Sequence, residues 1–313
     1  MSVQTPVLVM AFNRPDHLRV LLNRLREVQP VRVYFAVDGA RAGMADEADH
    51  VARCRELIEE IDWIPDKRML FQDNNLGCGQ GVSTAISWFF EHEESGIILE
   101  DDIIPEPSFF PYCSELLDRY RDDQRVFAIS GCNFVPADQQ SHPNLPYRFS
   151  QIPHIWGWAT WRDRWAHHRL DIRDWRKRLP PRALWRQGGR SFSGAAYWAS
   201  TFELLARGEV DTWDGQLVLA SMARNQWTAT SNVNLIRNIG FDEMATHTRE
   251  DRNELPEPES IKLPLEPVPV ELDSAADAWT RRHHFRATPG GMMGQAGRYL
   301  AGRLGTKKKV GSA

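Results

Sequence analysis

Long apolar runs are missing from this chain. Nothing approaches the roughly 20 residues that a membrane-spanning helix needs, so no spanning segment is expected. Cysteine is scarce: Cys54, Cys78, Cys113 and Cys132 form no CxxC pair and have no companion histidine cluster. That excludes a zinc knuckle or a dense disulfide framework and favours reduced thiols. A surplus of positive charge is absent too, since the formal net charge is -4. Without a general basic field to gather phosphates, no nucleic-acid partner is expected. No basic stretch with a signal-length apolar segment precedes Val7, and no internal repeat is visible, so a cytoplasmic protein is predicted.

What is present suits a folded enzyme-sized chain. With 313 residues, 42% of them hydrophobic and 26% charged, the sequence can bury one large α/β core or two modest ones. The first 130 residues alternate short apolar runs with helical periodicity, the pattern of βαβ units feeding a mainly parallel sheet. Val7 to Met10 reads as a buried strand. Arg14-Pro15-Asp16 then opens a helix with Leu18, Leu21, Leu22 and Leu25 on one stripe. Strands are predicted at Val33 to Val37, Met69 to Phe71, Ile97 to Leu99 and Val126 to Ile129. Helices are predicted over Ala45 to Ile61, along the Val82, Ile86, Phe89 and Phe90 stripe, and along Phe110 to Tyr120. Residues 1–133 are thus expected to form a nucleotide-binding half. Residues 134–254, rich in Trp, Arg and Pro, are expected to form the acceptor half of the same domain. Residues 255–280, with prolines at 256, 258, 264, 267 and 269, should run extended, and 281–313 form a basic tail.

In open sheets of this kind, ligands sit beyond the carboxyl ends of the strands, where loops converge and helix N-termini point inward. The unusual polar residues fall there. Asn13 and Arg14 follow the first strand, Asp38-Gly39 the second, Asn74 to Gly81 the third, and Glu100-Asp101-Asp102 the fourth. Three adjacent carboxylates after a buried aliphatic strand repel one another unless a cation neutralises them, and hard oxygen ligands suit Mg²⁺ or Mn²⁺. A solvated acidic loop or helix cap is the competing reading. The glycines of Asn74 to Gly81 would let backbone amides approach a diphosphate, although the run lacks the P-loop lysine and the GxGxxG spacing.

Taken in order, "VLVMAFNRP", "FAVDGA", "NNLGCGQGV" and "IILEDD" resemble a GT-A glycosyltransferase, a Rossmann-like α/β fold. Within that fold the chain is similar to the inverting N-acetylglucosaminyltransferase I group and its bacterial relatives, over about residues 5 to 250. The resemblance implies transfer of a sugar, GlcNAc-like, from a UDP-sugar to a glycan or glycolipid hydroxyl. It implies Mn²⁺ or Mg²⁺ at Asp102, with Asp101 against the donor ribose or sugar. It also implies Arg14 near the phosphates, Asp38 near the uridine, and Gly77 and Gly81 beside the donor. Trp158, in the aromatic stretch Trp156 to Trp161, would wall the sugar pocket. Asp214 in "VDTWDGQL" would be the general base, with Asp211 as its local rival and a helix N-cap as the competing role. His247 would touch the diphosphate or metal.

Two other classes compete. A sugar nucleotidyltransferase would use a similar sheet and metal-bound acids, but it usually carries a Gly-rich, basic triphosphate loop after the first strand, where this chain has "AFNRPDHL". A catalytically silent carbohydrate-binding module would show a broken metal or base site. The tail, with eight Lys or Arg and no acid over 281–313, could lie on an anionic inner membrane face or be a solvated extension rich in glycine.

Overall fold

The computed structural model describes residues 3–241, 255–288 and 290. Its strands are β1 (Val7–Ala11), β2 (Arg32–Val37), β3 (Asp66–Phe71), β4 (Ser95–Glu100), β5 (Ile103–Pro105), β6 (Val126–Ser130), β7 (Tyr147–Ser150), β8 (Trp158–Trp161), β9 (Trp227–Ser231) and β10 (Ile236–Asn238). The helices of the first half are α1 (Pro15–Val28), α2 (Ala45–Glu59), α3 (Gly77–His92) and α4 (Phe109–Arg119). Those of the second are α5 (Arg162–Trp165), α6 (Trp175–Arg178), α7 (Pro181–Gln187), α8 (Phe192–Ala206), α9 (Asp214–Arg224) and α10 (Ser274–His283).

Eight strands form one sheet in the order β3-β2-β1-β4-β8-β6-β9-β7. The pairs β1 with β2, β1 with β4, β2 with β3, and β6 with β9 are parallel. Strands β8 and β7 run against their neighbours. The result is a mixed α/β fold on a large, mostly parallel sheet. Every residue of β1 and β6 is buried, and all of them but Ser130 are apolar, as expected when helices cover both faces. Leu18, Leu21, Leu22 and Leu25 of α1 pack on one face with Val51, Cys54 and Ile58 of α2. Ile86, Phe89 and Phe90 of α3 pack on the other with Leu217 and Ala220 of α9.

Topology places the ligand crevice. The chain moves outward from β1 to β2 and β3, then returns to add β4 on the other side of β1. The order therefore reverses between β1 and β4, and the connections leaving their carboxyl ends part there. A two-stranded ribbon of β5 and β10 sits at that point, pairing Asn238 with Ile103 and Ile236 with Pro105.

Three expectations change in detail. The β-strand over 158–161 is antiparallel and inserted between β4 and β6, which the aromatic composition of that stretch gave no means to foresee. The proline-rich segment forms no helix over 255–272, but the extended stretch expected to reach 280 stops short, because α10 begins at Ser274. The segment is also anchored, with Arg119 donating to the carbonyl of the buried Leu265 at 2.7 Å. The basic segment does not begin a new unit at 281, because Arg281, Arg282 and His283 form the last turn of α10. Residues 291–313, with most of the proposed tail, lie outside the described residues, as does His247.

Candidate active site

A cavity of about 620 Å³ opens at the carboxyl ends of β1, β2 and β4, a volume suited to a small-molecule ligand. Its walls include Met10 and Ala11, Ala36 and Val37, and Glu100, so the strand termini themselves form the floor. Arg14, Asp38, Gly77, Gly81, Asp101 and Asp102 all reach it. These residues come from four separate strand–loop junctions, and the fold brings them to one place.

Glu100 ends β4, and Asp101 and Asp102 form the turn into β5, where no helix start is available to offset their charge. Arg14 performs that task. Its guanidinium pairs with Asp101 through Nη2 and with Asp102 Oδ2 through Nη1, the latter at 2.8 Å. Asp101 is 1% exposed and also accepts from the Phe12 backbone N–H at 3.3 Å. Burial opposes the charge on Arg14, but Asp101 and Asp102 outweigh it and hold the guanidinium above its ordinary pKa. Burial likewise pushes Glu100 up to about 8, aided by repulsion from Asp102 and Asp101. Asp101 is raised by burial against the pull of Arg14. The role expected for Arg14, a fork on phosphate oxygens, is therefore revised: both terminal nitrogens already hold the carboxylates in place.

The third strand-end loop is also filled by protein. Asp38 accepts from the Leu76 N–H at 3.0 Å and from Asn75 Nδ2 at 3.1 Å. Burial raises its pKa against the pull of the Leu76, Gly39 and Gly77 backbone N–H groups. From the other side, Asp211 accepts from the Cys78 N–H at 3.0 Å and the Gly79 N–H at 2.9 Å. Two remote carboxylates thus satisfy the orphan amides at the start of α3, which has no capping side chain of its own. Gly77 is needed here twice over: its φ is +79°, and a Cβ would lie 2.7 Å from Asp211 Oδ2. A Cβ at Gly81 would lie 3.2 Å from Asp38 Oδ2. The expectation that this loop's amides cradle a diphosphate is corrected, because those amides already bind Asp38 and Asp211. Gly77 and Gly81 border the cavity but make room for protein carboxylates.

Trp158 is a further correction. It is 1% exposed, and its ring stacks on Trp213 at 5.8 Å, inside the core and away from the cavity wall. The aromatic wall is formed instead by Trp156 and Phe241, edge to face at 5.7 Å. The difference arises because β8 pairs its residues into the sheet, whereas Trp156 precedes the strand.

Asp214 is the first residue of α9. Its Oδ1 accepts from Thr212 Oγ1 at 2.6 Å and from the Gly215 N–H at 2.7 Å. It is half-buried and close enough to raise the pKa of both Glu100 and Cys78. Asp211, its rival, lines the cavity directly. Cys78 also lines it, but burial, with Glu100 and Asp211 adding to it, pushes its thiol up to about 12, so it stays protonated and is no nucleophile.

The sequence marks Asn238 to Phe241 as resembling a late segment of the same family but gives Gly240 no role, and it does not single out Arg41. Gly240 lies against the acidic turn: the Ile239 N–H donates to the Asp102 carbonyl at 2.9 Å, and a Cβ on Gly240 would overlap Asp102 Oδ2 and lie 3.0 Å from Arg14 Nη1. Only the β5–β10 pairing creates that proximity, so nothing local announces it. Gly240→Ala is expected to displace Asp102 from Arg14, lowering stability by about 1–3 kcal/mol, as overpacking does. A variant that melts like the parent would show that the contact is slack. Arg41 pairs with Glu47, which also accepts from Asn13 Nδ2 at 3.2 Å, tying the β1 and β2 loops together at the cavity rim.

Among the described residues no group of three or more His, Cys, Asp or Glu side chains is disposed to hold a metal ion by itself. The donor set nevertheless fits a hard divalent ion that arrives with a ligand. Mg²⁺ is usually held by one or two carboxylates plus substrate phosphates, and Glu100 and Asp102 both face the cavity.

No family model matches the chain, and no curated protein matches it. Several solved structures are similar over part of their length. HddC from Yersinia pseudotuberculosis shares 11% identity at a TM-score of 0.32, covering 51% of this chain and 78% of its own. The inositol-1-phosphate CTP transferase from T. maritima shares 9% at 0.31, covering 53% and 74%. Apo UDP-glucose pyrophosphorylase shares 9% at 0.32, covering 72% and 90%. Overlaps this slight carry no statement about activity, and the α/β architecture rests on the strands described above.

Proposed function

We propose that the cavity binds a nucleoside-diphosphate sugar and that the protein transfers the sugar to an acceptor hydroxyl. The observation that carries this reading is the convergence of Arg14, Glu100, Asp101 and Asp102 on one cavity at the β1–β4 reversal. UDP as the nucleotide, a GlcNAc-like sugar, inversion, and a glycan or glycolipid acceptor rest on the resemblance of the motifs.

In this reading Asp102 and Glu100, which both face the cavity, would hold Mn²⁺ or Mg²⁺. When bound, the ion supplies Lewis-acid neutralisation of the leaving group. Arg14 fixes the acids in the orientation that this requires. Trp156 and Phe241 offer apolar faces to sugar C–H surfaces. Asp214 takes the acceptor proton on Oδ2, since Oδ1 already accepts two hydrogen bonds. The acceptor oxygen then bonds to the anomeric carbon as the carbon–oxygen bond to the diphosphate breaks, and the nucleoside diphosphate leaves with the electron pair.

A second reading is nucleotidyl transfer to a sugar phosphate, the kind of activity for which two of the similar proteins are named. The connection from β1 to α1 argues against it. That connection is only Phe12, Asn13 and Arg14, without glycine and with its one cation already paired. Calorimetric titration with UDP, GDP and CDP, each with and without Mn²⁺, tests the main reading. Metal-dependent binding of one nucleotide is expected, followed by release of nucleoside diphosphate from the cognate sugar nucleotide. Release of pyrophosphate from a nucleoside triphosphate would establish the second reading. Binding without turnover would indicate a silent module, and no binding would overturn all three.

A further inference from the structure

An unusual surface lies outside the cavity, on α7 and the start of α8. Phe192 is 85% exposed, the highest value among the large exposed hydrophobic side chains of the described residues. Its ring meets the exposed Trp185 edge to face at 4.9 Å. The turn between them is well defined: the Arg190 N–H donates to the Trp185 carbonyl at 2.9 Å, and Ser191 caps α8 by accepting from the Gly194 N–H at 2.9 Å. Both aromatic rings are therefore held at the surface by the backbone. Leu184 and Ala183 of the same short helix turn inward to the cluster around Trp198 and Phe202.

Charge gathers around this pair. Residues 175–202 contain Arg176, Lys177, Arg178, Arg182, Arg186 and Arg190 and not one acid, in a chain whose net charge is negative. Lys177, Arg182, Arg186 and Arg190 are exposed. Among the described residues none of these four pairs with a carboxylate, whereas Arg176 pairs with Glu203 at 2.7 Å. Arg182, Trp185 and Arg186 follow helical spacing, so two cations flank the tryptophan on one exposed face of α7.

We infer that this surface docks on an anionic lipid bilayer. Unpaired cations around a projecting aromatic pair match what an anionic interface offers, with phosphate headgroups for the guanidinium groups and an acyl boundary for Trp185 and Phe192. Arginine stems also lie along apolar surface with the charge directed outward. A nucleic acid would satisfy the charge but is less suited to the rings, because a T-shaped pair presents a wedge and not a flat stacking platform. No described helix is long and apolar enough to cross a membrane, so the contact is peripheral. The contact involves residues 182–192 and does not depend on what the cavity binds.

Co-sedimentation of the full chain with vesicles of phosphatidylcholine, with and without a fraction of phosphatidylglycerol, tests this. Binding is expected only to the anionic vesicles and should weaken with added salt. Arg182→Glu with Arg186→Glu should weaken it on the order of a hundredfold or more. Phe192→Ser should weaken it about tenfold. Both sets of substitutions are at exposed positions, and unchanged thermal melts would confirm that the folds are intact. No binding to anionic vesicles at low salt, or equal binding by the variants, would overturn the inference. So would tighter binding to a single-stranded oligonucleotide than to the vesicles, lost in the same variants.

Discussion

Arg14→Met is expected to destabilise the protein by about 3–5 kcal/mol at neutral pH, because it leaves buried carboxylates without their cation. The guanidinium is the group that pairs with both Asp101 and Asp102, and Asp101 is fully enclosed. Methionine preserves much of the stem's volume, so the loss reports charge rather than a cavity. The effect should depend on pH with a definite sign. Glu100 and Asp101 already have folded-state pKa values raised above their unfolded ones. Each therefore binds more protons folded than unfolded, and stability falls as pH rises from the unfolded carboxylate range through the folded value. Without Arg14 these values rise further. The deficit should be largest near and above pH 8, the value to which Glu100 is pushed, and shrink as pH falls to and below about 4, the unfolded carboxylate range, as the acids become protonated in both states. Urea melts across that range would measure it. If the three acids accept a divalent cation, Mg²⁺ or Mn²⁺ should restore part of the lost stability at the high end. A variant as stable as the parent at pH 8 would remove Arg14 from its neutralising role.

Asp214→Asn is expected to lower transfer about 10²–10⁴-fold while donor affinity stays within about twofold. The amide keeps the acceptor position that takes hydrogen bonds from Thr212 and Gly215, so α9 should remain intact. Asp211→Asn should behave differently. It weakens the hold on the Cys78 and Gly79 amides, loosens the start of α3, and should raise the donor dissociation constant more than it lowers turnover. Single-turnover kinetics alongside calorimetry separate the two effects. If Asp211→Asn binds donor normally and is inert, while Asp214→Asn turns over, the base is Asp211.

Two of these roles illustrate how one residue type reads differently before and after folding. Asp38 and Asp211 are each followed by glycine or threonine in sequences typical of turns, and both become caps for a helix they do not belong to. The N-terminus of α3 was legible as an anion-binding feature, and it does bind anions. They are the protein's own carboxylates, one from the end of β2 and one 132 residues from Gly79. Arg14 was legible as a functional cation, but its partners lie 87 and 88 residues away, and its pairing with them changes its task from holding a ligand to holding the acids.

The order of elements through β6 apart from the short β5, the apolar stripes of α1 to α4, and the placing of polar residues at strand ends were determined by the sequence alone. Periodicity and turn chemistry are local, and burial on both faces of a parallel sheet writes them as continuous apolar runs. The acidic turn is legible for the same reason, since three carboxylates directly after Ile97, Ile98 and Leu99 cannot retreat into the strand. Only the tertiary structure decided which groups meet. Strand pairing put Trp158 into the sheet and left Trp156 at the cavity, brought Gly240 against Asp102, and set β8 antiparallel between β4 and β6. Those outcomes depend on register and on contacts between residues far apart in the chain, and a side chain's neighbours across a sheet leave no mark on its own local pattern.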